Sequence, residues 1–135
     1  MLSRSQFDNK SQFYGFDLFN SGFFLIFASL KHAIRFKVYL YFVSLADSEL
    51  NKHRVQTRVA QGGHAVDEDK IRQRYYRTMS NLYEALKIAD SAYLFDNSAG
   101  EPNMFAVKED ELLTIQSNYV PKWFATYVLD VIEQQ

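Results

Sequence analysis

The sequence predicts an α/β fold, and three observations carry that reading. Phe36–Ser44 (FKVYLYFVS) is a nearly unbroken run of β-branched and aromatic residues, the pattern of a strand covered on both faces. After Asp67, the apolar residues Ile71, Tyr75, Met79, Leu82, Leu86 and Ala89 follow one another at spacings of 4, 4, 3, 4 and 3, which is one stripe of a long amphipathic helix. Ala92–Phe95 is a second short apolar run, closed by the turn-forming composition of Asp96–Gly100. Strand, helices and strand in that order imply a sheet with helices on both sides.

The remaining elements follow from local chemistry. Gly22–Arg35 suits a buried helix ending in Lys31, His32 and Arg35, cations that favour the negative end of a helix dipole; residues 1–20 show no clear period. Asp47 or Ser48 caps a helix running to Gln61, and Gly62-Gly63 supplies the left-handed turn that ends it. Asp67 caps the next helix. Met104–Val107 and Leu112–Ile115 read as two short strands separated by the acidic turn Lys108–Glu111. Pro121 opens a final helix carrying Trp123, Phe124, Tyr127, Val128 and Ile132, at a position where proline's missing N–H costs little. With no internal repeat, low-complexity tract or linker, residues 1–135 read as a single domain.

Composition narrows the function classes. A hydrophobic share of 47% with 16% aromatics marks a folding chain. A net charge of -1 provides no global basic field for DNA, RNA or an anionic membrane, so any anion site is local. The longest apolar run, Gly22–Leu30, falls well short of the roughly 20 residues that span a bilayer. Asp8 and Asp17 break the charged leader that a secretory signal would need. The absence of cysteine excludes disulfides and thiolate metal sites, and together these features point to the cytoplasm.

The chemistry concentrates in Val55–Asn81, which holds Arg58, His64, Arg72, Arg74 and Arg77 around the paired glycines. A guanidinium is a permanently charged fork that binds phosphate oxygens bidentately, so this arrangement suits a nucleotide phosphate chain. Lys70, Arg74, Arg77 and Asn81 repeat at 4, 3 and 4 beside the Ile71 stripe, and Arg54 and Arg58 share a face of the preceding helix. If the two helices form a hairpin, several guanidiniums converge; the alternative is a solvated face with Glu68, Asp69 and Glu84 as surface partners. His64 either meets a phosphate, moves a proton or closes the turn. Asp96 and Asn97 end a strand at the edge where α/β sheets bind ligands, or simply form an Asx turn. His32 and His53 have no ligand-like companions, so no metal cluster is expected. The sequence contains no G-x-x-x-x-G-K-[ST], no G-x-S-x-G and no H-E-x-x-H.

KVYLYFVSL at 37–45, SELNKHRVQTRVAQGGHAV at 48–66, IRQRYYRTMSNLYEALKIAD at 71–90, YLFDNS at 93–98, MFAVKEDEL at 104–112 and PKWFATYVL at 121–129 together resemble the C-terminal half of bacterial zeta-toxin-like P-loop kinases. The resemblance runs from about Phe16 to the C-terminus and is most specific in RV-x-x-RV-x-x-GGH and R-x-x-R-x-x-x-N. It implies a partial three-layer P-loop-kinase-like fold with a mainly parallel sheet, a lid-like helical hairpin and a C-terminal β-hairpin plus helix. It further implies that Arg58 and Arg74 embrace ATP phosphates as catalytic and binding residues, with Arg77 and His64 next and the Asp96-Asn97 turn near the base. The family's activity is phosphoryl transfer from ATP, with magnesium, to a hydroxyl, in characterised zeta toxins that of a UDP-linked amino sugar. Relatives read GGHDVP where this chain has Ala65 and Asp67, and FETTLSG where it has FDLFNSG, leaving Asp17 as a weak counterpart of a substrate-site glutamate. The Walker A segment and the expected catalytic acid are missing, so little kinase activity is expected of the chain alone. A second reading is a binding module for a separate P-loop half or an antitoxin-like protein; RNA binding is disfavoured by the neutral charge.

Overall fold

A computed structural model describes residues 37–135. The expected Gly22–Arg35 helix, the unassigned residues 1–20 and Asp17 lie outside the described residues. The elements in chain order are β1 (Tyr39–Ser44), α1 (Ser48–Ala60), α2 (Glu68–Ile88), β2 (Ser91–Asp96), β3 (Asn103–Glu109) and β4 (Leu112–Ile115). A C-terminal helical segment then runs through α3 (Lys122–Phe124), a π-helical stretch at Ala125–Leu129 and α4 (Asp130–Glu133).

The four strands form one sheet in the order β1-β2-β3-β4. β1 and β2 run parallel, joined by the α1–α2 crossover, with Tyr39 opposite Ser91 and Ser44 opposite Asp96. The β2–β3 and β3–β4 pairs are antiparallel. The expected mainly parallel sheet is therefore corrected to a mixed one: the short links at 97–102 and 110–111 have room only for hairpins, whereas a parallel return needs a crossover of a dozen or more residues.

Helix boundaries rest on specific caps. Asp47 accepts a hydrogen bond from the Leu50 N–H at 2.8 Å, and Asp67 accepts one from the Lys70 N–H at 3.1 Å. α1 stops at Gly62, whose φ of +96° side chains rarely adopt, while the Gly62 and Gly63 N–H groups satisfy the carbonyls of Val59 and Arg58. The α2 stripe is buried as spaced: Tyr75, Met79, Leu82 and Leu86 pack against Phe42, Ala92, Leu94 and Ala106 of the sheet. Trp123, Phe124 and Val128 complete the same core, with the Phe105 ring edge-on to both Trp123 and Phe124.

All of this packing uses one face of the sheet. On β1, Phe42 and Ser44 are buried, whereas Tyr39, Tyr41 and Val43 point to the other side, Tyr41 being 63% exposed. Residues 37–135 cover only one of the two faces that the strand was expected to bury, and they contribute no second helical layer. The described residues make a two-layer α/β unit, and on the other face of β1 Tyr41 stacks on Tyr93 at 4.9 Å.

Lys108 also departs from expectation. It sits inside β3 rather than in the turn, is 8% exposed, and donates from Nζ to the Ala89 carbonyl at 2.7 Å, where α2 ends. The ammonium therefore meets the negative end of the helix dipole while its stem packs as an apolar side chain. Lys108→Met keeps the stem and removes the bond, so it is expected to cost about 1–3 kcal/mol, read as a lower urea midpoint at unchanged slope.

Candidate anion-binding site

The parallel β1–β2 pair brings two strand ends together, and the α1–α2 hairpin stands over the end of β1. Between hairpin and strand lies a cavity of about 300 Å³, bounded by Phe42 to Leu45 on the sheet side and by residues of both helices. Both Arg58, in the last turn of α1, and Arg74, in α2, line it. Of the arginines that a hairpin was expected to bring together, Arg58 and Arg74 line this cavity, while Arg54 and Arg77 do not.

The carboxylates of the hairpin are engaged elsewhere. Lys52 bridges Glu49 at 3.4 Å and Glu68 at 3.0 Å, and Arg72 reaches Glu49 at 3.0 Å and Asp69 at 3.7 Å. The Arg72 hydrogen bond, followed by that of Lys52, holds the Glu49 carboxyl below its ordinary range; Glu68 and then Glu49 push the Lys52 ammonium up. These exposed pairs fix the hairpin's outer side and contribute little stability each. No carboxylate among the described residues pairs with Arg58 or Arg74. Two exposed arginines that line one cavity, neither ion-paired with a carboxylate among the described residues, give it local positive charge on a chain of net charge -1.

The turn fixes Arg58 directly. The Gly63 N–H donates to the Arg58 carbonyl at 3.0 Å, and a methyl group on Gly63 would stand 2.9 Å from that oxygen and 3.0 Å from Arg58 Cγ. Gly63→Ala is expected to displace Arg58 and weaken anion binding, measured by titration with inorganic phosphate, while the circular dichroism of the fold stays unchanged.

Tyr75 shapes the sheet side of the cavity. Its hydroxyl donates to the carbonyls of Leu45 and Ala46, each at 3.1 Å, and so holds the segment that follows β1. Burial first, and next the negative charge of Asp47, push its ionisation from the ordinary 10.0 up to about 12. Because the folded protein favours the neutral phenol, this contribution to stability is complete below pH 10 and is lost as pH rises through about 12. Tyr75→Phe, which cannot ionise, is expected to lower stability by about 1 kcal/mol at neutral pH and to flatten the loss between pH 10 and 12, as followed by thermal melts.

Beside the cavity, the end of β2 is tied to both β1 and α1. The Asn97 N–H donates to the Ser44 carbonyl at 2.8 Å, and Arg54 donates to the Asn97 carbonyl at 2.6 Å. Asp96, 6% exposed, accepts from the Ser98 N–H at 2.8 Å and from the Ser98 hydroxyl, which is the Asx turn that its composition allowed. Its second oxygen, Oδ2, and Asn97 Oδ1 are buried without a hydrogen-bond partner. Asp96 and Asn97 thus stand next to the cavity rather than in its wall. His64, in the exposed turn, and Arg77, one turn beyond Arg74 on α2, also lie outside the lining.

Arginine side chains such as Arg58 and Arg74 have the chemistry to bind phosphate oxygens. For magnesium the donor set is thin: among the described residues, no three His, Asp or Glu side chains gather in one place. Sequence reading missed Tyr75 as a site residue because it belongs to the core stripe. The available signal was its hydroxyl, which needs a partner when an aromatic ring is buried. Comparison with known proteins brings out no matching family model, no matching curated relative and no matching solved structure.

Proposed function

We propose that the chain is the lid-bearing part of a zeta-toxin-like, ATP-dependent small-molecule kinase, in which Arg58 and Arg74 hold nucleotide phosphates between the two helices of the hairpin. The observation that carries this reading is that both arginines line one cavity at the end of a parallel strand, with no carboxylate among the described residues ion-paired to either. Ligands of open α/β sheets bind beyond the carboxyl ends of the strands, which is where this cavity lies. The acceptor in such a reaction is a hydroxyl, that of a UDP-linked amino sugar being the family's example.

Phosphoryl transfer is mostly positioning and charge stabilisation, shared among a phosphate loop, a metal and arginines. The sequence has no G-x-x-x-x-G-K-[ST], so this chain supplies the arginines and not the cradle. It is therefore expected to bind nucleotide phosphates but to show little turnover alone. A nucleotide titration with a parallel phosphotransfer assay tests this. Binding weakened by Arg74→Gln, with negligible turnover, is the expected result; robust magnesium-dependent turnover abolished by Arg74→Gln would contradict the inactive-alone reading.

A second reading is favoured by β1. Among the described residues it is an edge strand, its sequence YLYFVS is uncharged, and Tyr39, Tyr41 and Val43 are exposed on its outer side. An apolar edge of this kind is a ready template for another chain, such as a complementary P-loop half or an antitoxin-like protein. Sedimentation of a strictly monomeric chain that gains no partner when a P-loop half is added would count against it.

A further inference from the structure

The lining of the cavity carries more than charge. Beside the two arginines its lining includes Phe42, Val55, Ile71 and Met79, and the hydroxyl of Tyr75, another lining residue, is already engaged by the Leu45 and Ala46 carbonyls. A bare polyphosphate suits the arginines and not the apolar residues, because strongly hydrated oxygens gain nothing against such walls and lose water on entering. Pockets that bind small organic molecules show the pattern seen here, a mostly apolar wall with a few placed polar groups, and start at about 300 Å³. An apolar cavity of about 150 Å³ is enough to hold benzene, so the 300 Å³ present leaves room for a ring together with its anionic substituent.

From this we infer that the cavity takes a phosphate ester on an aromatic or branched-aliphatic body, the phosphate on Arg58 and Arg74 and the body against Phe42, Val55, Ile71 and Met79. The inference rests on the arginine-pair reading above and adds the chemical class of what the pair holds. Asn51 and Thr78 of the two helices also line the cavity. Burial of even a small ring adds the free energy of several buried CH₂ groups, so the organic ester outbinds the free anion.

Calorimetric titration of the full chain with phenyl phosphate, inorganic phosphate and inorganic triphosphate, at one ionic strength, tests the inference. The expected result is phenyl phosphate binding about tenfold or more tightly than inorganic phosphate. Arg58→Gln or Arg74→Gln each weakens it by about tenfold or more, and Val55→Asn narrows the ratio between ester and free anion. Phenyl phosphate no tighter than inorganic phosphate, with both weakened by the arginine substitutions, overturns the apolar-body inference and leaves the arginine pair standing. Triphosphate outbinding phenyl phosphate has the same meaning. Binding of no probe, or binding indifferent to both arginine substitutions, overturns the inference and the arginine-pair reading together. Should a variant lose its native circular dichroism, the ratio among the three probes on the native chain decides alone.

Discussion

Phe105→Ala is expected to destabilise the protein by about 3–5 kcal/mol, the range for emptying a fully buried aromatic site. Phe105 has no exposed surface and sits at the β-bulge of β3, where Leu94 pairs with Ala106 and Phe95 with Met104. The extra residue is turned inward, its ring edge-on to Trp123 at 5.4 Å and to Phe124 at 5.1 Å. Trp123 in turn packs against Phe42, so the aromatic cluster joins the C-terminal helical segment to β1 and β3 at once. Removing the ring opens a hole that rigid neighbours on several elements cannot all close. Chemical denaturation measures the loss; a cost under about 1 kcal/mol would mean that the C-terminal segment is not packed as described. Phe105→Leu, which keeps much of the volume, should recover most of it.

The second large effect concerns binding. Substituting both Arg58 and Arg74 by Gln is expected to reduce affinity for inorganic triphosphate by about a hundredfold or more, since hydrogen bonds to charged groups contribute about 1.5–3 kcal/mol each. Stability should stay nearly constant, because neither side chain has an ion-pair partner among the described residues. Arg72→Gln is the matched control. Its guanidinium is engaged by Glu49 and Asp69 on the hairpin's outer side, and its loss should leave triphosphate affinity within about twofold, as expected for an exposed pair. Equal losses in the control and the double variant would indicate a diffuse charge effect and not a site.

The parts of the fold readable in the sequence are those governed by local rules. The α2 stripe, the Asp67 cap, the glycine stop after α1 and the Leu112–Ile115 strand follow from periodicity and turn chemistry, and each is found where those rules put it. What escaped depends on neighbours distant in the chain. Lys108 reads as a turn residue because lysine is rarely buried; only the arrival of the α2 end beside β3 gives its ammonium an acceptor. The bulge that turns both Phe105 and Ala106 inward breaks the period of two that strand reading relies on. The π-helical stretch at Ala125–Leu129 has no composition that marks it. At the site, the family resemblance singled out Arg58 and Arg74, the two that line the cavity, whereas helical spacing alone grouped Arg54 with Arg58 and Arg74 with Arg77. Spacing could not sort the other candidates: Arg54 shares Arg58's face yet is tied to the Asn97 carbonyl, and His64 stays in the exposed turn.

The central claim is that Arg58 and Arg74 face one cavity and bind one anion together. Arginine Nε–H resonances, followed by NMR while inorganic triphosphate is added to the full chain, report on it most directly. The predicted result is that the Arg58 and Arg74 signals shift along a single saturable isotherm with one dissociation constant, while Arg72 stays in place. Shifts spread over all the arginines without saturation, or saturable shifts of Arg72 with Arg58 and Arg74 unmoved, would contradict it.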